Sequence, residues 1–175
     1  MNDTVTIRRV GAADVDRCVE PLADVMIDCV AGGASIGFMW PLPRERALAF
    51  WREVAEGVKR GTRALLVAEA GAGRIVGTAQ LILALPDNQP HRADVAKVLV
   101  HRSARRHGVA ARLMSAVDAT ARAEHRTLLV LDAVTGGDAE RLYARAGWQR
   151  VGEIPRYALM PDGAPCATTY FYKGL

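Results

Sequence analysis

The sequence predicts a single mixed α/β domain, and three observations lead there. Helical stretches with apolar residues three and four apart alternate with short β-rich runs. Two of those runs form a hairpin, which calls for antiparallel pairing, while others are separated by helices, so the sheet should be mixed and not purely parallel. No repeat, low-complexity stretch or linker divides the 175 residues, a length that suits one domain with a sizeable core.

Thr4 to Val10, with Val5, Ile7 and Val10, predicts the first strand. From Ala13 to about Ala31, apolar residues recur at Val15, Cys18, Val19, Leu22, Val25, Met26, Cys29 and Val30. That is helical spacing, carried past an interior Pro21 and stopped by Gly32 and Gly33. A second helix runs from about Arg44 to Gly61, with Leu48, Trp51, Val54, Ala55 and Val58 on one face. Arg63 to Ala70 and Arg74 to about Leu83 form the hairpin around Gly71-Ala72-Gly73. After a break at Pro86 to Pro90, Ala93 to Val100 is a strand with Asp94 and Lys97 set into it. Val109 to about Arg122 is a helix with Val109, Leu113, Ala116 and Val117 inward. Leu128 to Val134 reads as a strand buried on both faces. Asp138 to Ala146 is a short helix ended by Gly147, and Gln149 to Arg156 and Thr168 to Lys173 complete seven strands around the Pro161-Asp162-Gly163 turn.

Composition narrows the function classes. Hydrophobic residues make up 50% and charged residues 24%, a soluble globular balance. No apolar run reaches the roughly 18–20 residues of a membrane span, and no signal peptide is expected from Met1-Asn2-Asp3-Thr4. Cys18, Cys29 and Cys166 are expected as free thiols in a reducing cytoplasm. If Cys18 and Cys29 share one helix, roughly 16 Å of axis separates them, too far for a disulfide. The net charge of +4 permits nucleic-acid binding, but the arginines are dispersed and no aromatic stacking platform accompanies them, so no nucleic-acid partner is expected. His91, His101, His107 and His125 show no metal-ligand spacing, so no metal is expected.

The most specific segment is Val98-Leu99-Val100-His101-Arg102-Ser103-Ala104-Arg105-Arg106-His107-Gly108-Val109-Ala110. A strand runs into a basic loop and then into a helix that opens on Gly-x-Ala. Unpaired N–H groups and the positive end of the dipole make such a helix start attractive to anions. Gly108 and Ala110 leave the backbone approachable, and Arg105 and Arg106 add charge, which suits a diphosphate. The competing reading is a solvated basic loop before an ordinary helix.

Arg105 to Ala110 resembles the coenzyme A-binding motif Gln/Arg-x-x-Gly-x-Gly/Ala of the GCN5-related N-acetyltransferase (GNAT) superfamily. Ala139-Glu140-Arg141-Leu142-Tyr143-Ala144-Arg145-Ala146-Gly147-Trp148 resembles that superfamily's Ala-x-x-Leu-Tyr-x-x-x-Gly-Phe segment, at matching separation. Residues 32 to 39 and the Pro-Asp-Gly turn look most like the tabtoxin-resistance acetyltransferases. The resemblance implies a central, mostly antiparallel seven-stranded sheet flanked by about four helices over residues 1–175. It also implies acetyl-CoA as cosubstrate and direct transfer to a small amine-bearing or hydroxyl-bearing acceptor, amino acid-like or toxin- or antibiotic-like, by a monomer or homodimer.

Laid over the residues, the resemblance assigns Val98, Leu99 and Val100 to the pantetheine arm and Arg105, Arg106, His107, Gly108, Val109 and Ala110 to the phosphates. A backbone N–H near Leu99 or Val100 would polarise the thioester carbonyl, and Tyr143 would protonate the departing thiolate. On its own, Tyr143 reads equally as a core tyrosine. Asp94 and Asp132 are candidates for the base or for holding the acceptor's ammonium, against solvent-facing or capping roles. Many relatives carry Asn where this chain has Gly136, so that pantetheine contact is unassigned. The apolar loop at Gly33 to Pro43 offers Ser35, Phe38, Met39 and Trp40 to an acceptor pocket, or buttresses the first helix. Arg156 and Tyr157 could reach the same pocket, and His91 is the one histidine placed to relay a proton. A non-catalytic acyl-CoA-binding sensor is the alternative reading; retention of Tyr143 and two carboxylates argues for turnover.

Overall fold

Helical spacing in the first third of the chain produces α1 (Val15–Ala31), one uninterrupted helix despite Pro21, and α2 (Arg44–Lys59). The computed structural model describes residues 5–175, so the expected strand start at Thr4 lies outside the described residues. In order come β1 (Thr6–Arg9), α1, α2, β2 (Arg63–Ala70), β3 (Arg74–Ile82), β4 (Arg92–Val100), α3 (Val109–Ala123), β5 (Leu128–Val134), α4 (Asp138–Arg145), β6 (Gln149–Leu159) and β7 (Pro165–Gly174). Short 3₁₀ turns occupy Gly71–Gly73 and Arg102–Ala104. The seven strands form one sheet in the order β1-β2-β3-β4-β5-β7-β6. Every neighbouring pair is antiparallel except β4 and β5. No helix among the described residues is long and apolar enough to cross a membrane. All three cysteines are free.

The sheet separates two apolar layers. On one face, Leu22, Met26 and Trp51 of α1 and α2 pack with Leu65 and Val67 of β2. On the other, Leu113, Met114 and Val117 of α3 and Tyr143 of α4 pack with Leu66, Leu81, Leu129 and Phe171. Full burial of each large apolar side chain contributes about 1.5–3 kcal/mol. The terminal hairpin is longer than the sequence suggests, because β6 continues past Arg156 and β7 begins at Pro165.

β5 requires a correction. Its apolar run is expected to be buried on both faces, yet only Leu129 and Leu131 are buried, while Leu128 and Val130 are half-buried and Asp132 is exposed. The reason is placement: α1 and α2 stand over β2, β3 and β4, leaving that face of β5 open.

Two irregularities of β4 set the geometry at the centre of the sheet. Leu99 pairs with Thr78 and Ala96 with Gln80, so β4 spends three steps where β3 spends two. The extra residue makes a bulge at which Lys97 takes φ 51°. In a regular strand Val95 and Leu99, four apart, would share a face. Here Val95 enters the α3 layer and Leu99 the α1/α2 layer. The second irregularity is the parting of the parallel strands: β4 and β5 pair only at Arg92↔Leu128, Ala93↔Leu129 and Asp94↔Val130. Beyond Asp94 they diverge, and β5 continues alone alongside β7 as far as Val134↔Thr168.

Candidate active site

The divergence leaves a cleft whose one wall is β4 from Ala96 to Val100. Main-chain groups of a strand without a partner on one side are free for a ligand that runs beside it. Leu99 buries its side chain, so what it offers the cleft is backbone. Val98 and Val100 are half-buried. The Val100 carbonyl is already taken, accepting from Arg105 Nε at 3.1 Å and from Cys29 Sγ at 3.5 Å.

At the top of the cleft the basic loop turns into α3 through two left-handed residues, Arg106 (φ 65°) and Gly108 (φ 73°). Val109 is buried beneath the first turn and fixes it to the sheet. Among the described residues, the N–H groups of Arg106 to Ala111 have no internal acceptor; the first bond of the helix is Arg112 N–H to Gly108 O at 3.1 Å. A Cβ built on Gly108 would meet nothing within 4 Å, so the turn is open to solvent on that side. Arg105, Arg106 and His107 are all exposed, and the Arg105 side chain also folds back on Val100 and approaches Cys29 Sγ at 3.9 Å. Arg105 thus braces the strand end through Nε, and Arg105 and Arg106, both exposed and without a salt bridge among the described residues, leave two charges that can face an anion. The loop is tied to α1 by Asp28, which accepts from both the N–H and the Nε of Arg102 at 2.8 Å.

Tyr143, 5% exposed, is clamped between Trp148 and Phe171 with ring centroids 5.9 and 5.7 Å away. Burial pushes its hydroxyl up to about 12, and the Asp132 charge adds to the shift. The group therefore keeps its proton at neutral pH and can only donate it. At the turn before α4, Gly136 (φ 77°) gives its N–H to Glu140 Oε2 at 2.7 Å, so that amide is not available where relatives place Asn.

Asp132 and Asp94 lie on the α1/α2 face of the sheet, opposite to the face that buries Tyr143. Asp132 is the register partner of Tyr170, accepts a hydrogen bond from Thr168 Oγ1 at 2.8 Å, and has no cation within 4 Å among the described residues. Asp94 is half-buried and ion-paired to Arg92 at 2.5 Å. Between Ile154 and Ala158 the β6 register shifts, and the displaced Tyr157 hydroxyl meets that of Tyr170 at 3.0 Å. The Tyr157 hydrogen bond is the main cause that pushes Tyr170 up to about 12. His91, by contrast, is exposed at the far end of β4.

The loop between α1 and α2 divides its four candidates. Ser35 donates to Leu159 O at 2.7 Å, and Phe38 meets the Phe50 ring edge-on at 5.5 Å with Arg46 over its face, so both hold the loop to the body. Met39 and Trp40 are 43% and 52% exposed and line a cavity of about 500 Å³ with Gly32, Gly33, Met160 and Asp162.

Residues 61–150, which contain both the basic loop and Tyr143, match the family model described as Acetyltransferase (GNAT) domain. The chain is also 32% identical over 130 residues, 73% of this chain and 74% of the other, to an uncharacterized N-acetyltransferase encoded in the hisH-hisA intergenic region of Azospirillum brasilense. The chain belongs to the GNAT acetyltransferase family. Its fold matches the GCN5-related N-acetyltransferase of Kribbella flavida, with TM-score 0.78, 20% identity and 98% of each chain covered. It equally matches yncA of Salmonella typhimurium, solved with acetyl-CoA, with TM-score 0.75, 19% identity, and 98% and 94% covered.

As a GNAT enzyme the chain is an acetyltransferase that uses acetyl-CoA. The residues present fit that group: unpaired amides at an exposed helix start suit the diphosphate, and a one-sided strand suits an extended arm. Among the described residues no cluster of three His, Cys, Asp or Glu could hold a metal ion.

Sequence reasoning passes over Asp28, Thr168, Tyr170 and the side chain of Lys97. One signal for the last is present. Asp94 and Lys97 are an odd number of residues apart in an apolar strand, so a regular strand would bury one of them. Only a bulge brings both to one face.

Proposed function

We propose that this GNAT enzyme transfers acetyl directly to the amino group of a small polar acceptor, amino acid-like or toxin-like, as the resemblance to tabtoxin-resistance acetyltransferases suggests. The observation that carries the reading is the placement of unlike groups on the two faces of the sheet where β4 and β5 part: a protonated, desolvated Tyr143 packed on one face, and on the other Asp132, a carboxylate without a salt bridge among the described residues. When bound, acetyl-CoA supplies an already activated acyl thioester, so no enzyme nucleophile is required.

Arg105, Arg106 and the amides from Arg106 to Ala111 hold the diphosphate, and the backbone of Val98 to Val100 aligns the arm in the cleft. A main-chain N–H of β4 near Leu99 polarises the thioester carbonyl, an effect of about 3 kcal/mol for one such donor. Asp132 accepts the proton of the acceptor's ammonium, directly or through water, with Thr168 fixing the carboxylate. Tyr143 gives its hydroxyl proton to the departing sulfur and is reprotonated from solvent, to which the nitrogen sheds its second proton as the amide forms. Asp94, tied to Arg92, serves to hold the ammonium. Met39 and Trp40 form the outer wall of the acceptor pocket. The free thiols suit a cytoplasmic setting.

The test is a thiol-release assay with acetyl-CoA and a panel of amines, amino acids and lactam toxins. Release that depends on the acceptor is expected. Protein with no affinity for coenzyme A or acetyl-CoA would overturn the reading.

A further inference from the structure

Three polar side chains beside the cleft are left unspent. On the sheet face beneath α2, Arg63 pairs through Ile82 to Asp94, and Leu65 pairs through Gln80 to Ala96, which brings Arg63, Gln80 and the β4 bulge together. Lys97 is half-buried, its Nζ 5.5 Å from the centroid of the Phe50 ring, and it forms no salt bridge among the described residues. Arg63 is likewise without a carboxylate and donates from Nη1 to Gln80 Oε1 at 3.0 Å. Gln80 is fully buried, and its Nε2 has no partner.

A desolvated cation without a direct ion pair, on the same sheet face as a buried amide without an acceptor, is costly in a finished protein. It is what an oxyanion site looks like before its ligand arrives. Burial also holds the Lys97 ammonium below the ordinary lysine range; the Asp132 charge opposes this, and the Arg63 charge adds to it. An arriving anion would reverse that penalty.

We propose that Lys97, backed by Arg63 and Gln80, is an anion subsite for the acceptor, so that the acceptor is zwitterionic, its carboxylate on Lys97 and its amino group at Asp132. The assignment rests on the acetyl transfer proposed above and names its substrate class: α-amino acids and close analogues, not simple amines. The alternation of charge along this face, Asp94, Lys97 and Asp132, matches a molecule carrying both signs on groups attached to one carbon. Phe50 excludes water from one side of the ammonium and so strengthens the contact.

The experiment compares a panel of L-α-amino acids, each with its own primary amide, in two readouts. One is kcat/KM for acetyl transfer; the other is the thermal shift of coenzyme A-saturated protein on adding each compound. Wild type is expected to favour the acids over the amides by about tenfold or more, as for a hydrogen bond to a charged partner. Lys97→Met is expected to erase that ratio, mainly through KM, with coenzyme A affinity kept as the check on folding. Lys97→Arg is expected to retain part of it. Acids and amides used alike by wild type, or a ratio that survives Lys97→Met, would sink the subsite while leaving acetyl transfer standing. So would a wild-type protein that acetylates other amines but neither acetylates nor is stabilised by any amino acid. Loss of all thiol release, in contrast, strikes the transfer reading itself.

Discussion

Asp28 of α1 grips Arg102 twice, through the backbone N–H and through Nε, each at 2.8 Å. The carboxylate is 13% exposed, and His101 Nε2 stands 3.5 Å from it. One side chain thereby joins the first helix to the loop that leads into the anion cradle. Gly32 serves the same contact, since a Cβ there would meet Arg102 Cδ at 3.0 Å.

Asp28→Ala should therefore cost about 1–3 kcal/mol of stability, because it removes two hydrogen bonds to a charged carboxylate, and should also weaken coenzyme A binding. Burial pushes the Asp28 carboxyl up, but the Arg102 hydrogen bonds and the His101 and Arg102 charges outweigh it and hold the group below its ordinary value. A depressed folded pKa contributes stability above the unfolded value, about 3.9 for Asp. That contribution is lost as pH falls through the lower folded value. Asp28→Asn should thus flatten the acid limb of the stability curve below about pH 4, as read by denaturant titration at stepped pH.

Tyr143→Phe should lower kcat by about a hundredfold while leaving coenzyme A affinity unchanged. Because the hydroxyl is raised to about 12 from an ordinary 10, the native state holds a proton that the unfolded state releases. The associated stability is complete below about pH 10 and declines as pH rises toward 12. The phenylalanine variant should show a shallower alkaline decline. Equal kcat for both proteins would remove Tyr143 from the reaction.

Much of the fold and part of the site are legible in the residues alone, for physical reasons that can be named. Helix spacing carries α1 through Pro21 because nine buried residues from Val15 to Val30 outweigh one lost hydrogen bond. The cradle is legible because Gly108 must take a left-handed conformation at a helix start, and few other residues do so cheaply. What escapes depends on strands far apart in sequence. The open face of β5 comes from where α1 and α2 rest on the sheet, which a run such as Leu128 to Val134 does not encode. The charge of Arg105 is visible in the sequence, while the Val100 carbonyl that its Nε also binds is not. Ser35 and Phe38 read as pocket wall for a similar reason: their partners, Leu159 O and Phe50, are met only in the fold.

Asp132 and Asp94 should separate on mutation. Asp132→Asn should reduce kcat/KM by about a hundredfold, the range of a lost general base, with the deficit narrowing as pH rises and more acceptor is already deprotonated. Asp94→Asn should act mainly on KM, since the Arg92 ion pair keeps that carboxylate from serving as base. A steeper loss of kcat in Asp94→Asn than in Asp132→Asn would exchange the two roles.

Gly108→Ala isolates the cradle. With φ at 73° and nothing within 4 Å of the new methyl, the substitution meets no clash and costs only left-handed strain, about 1–2 kcal/mol. Two consequences should result, and calorimetry can separate them. The melting temperature should fall modestly with or without ligand, reflecting the strain. Coenzyme A affinity should fall further than dephosphorylated pantetheine affinity, because the strain falls in the turn whose amides hold the phosphates in the reading above. Equal losses for the two ligands would mean that the helix start grips something other than a diphosphate.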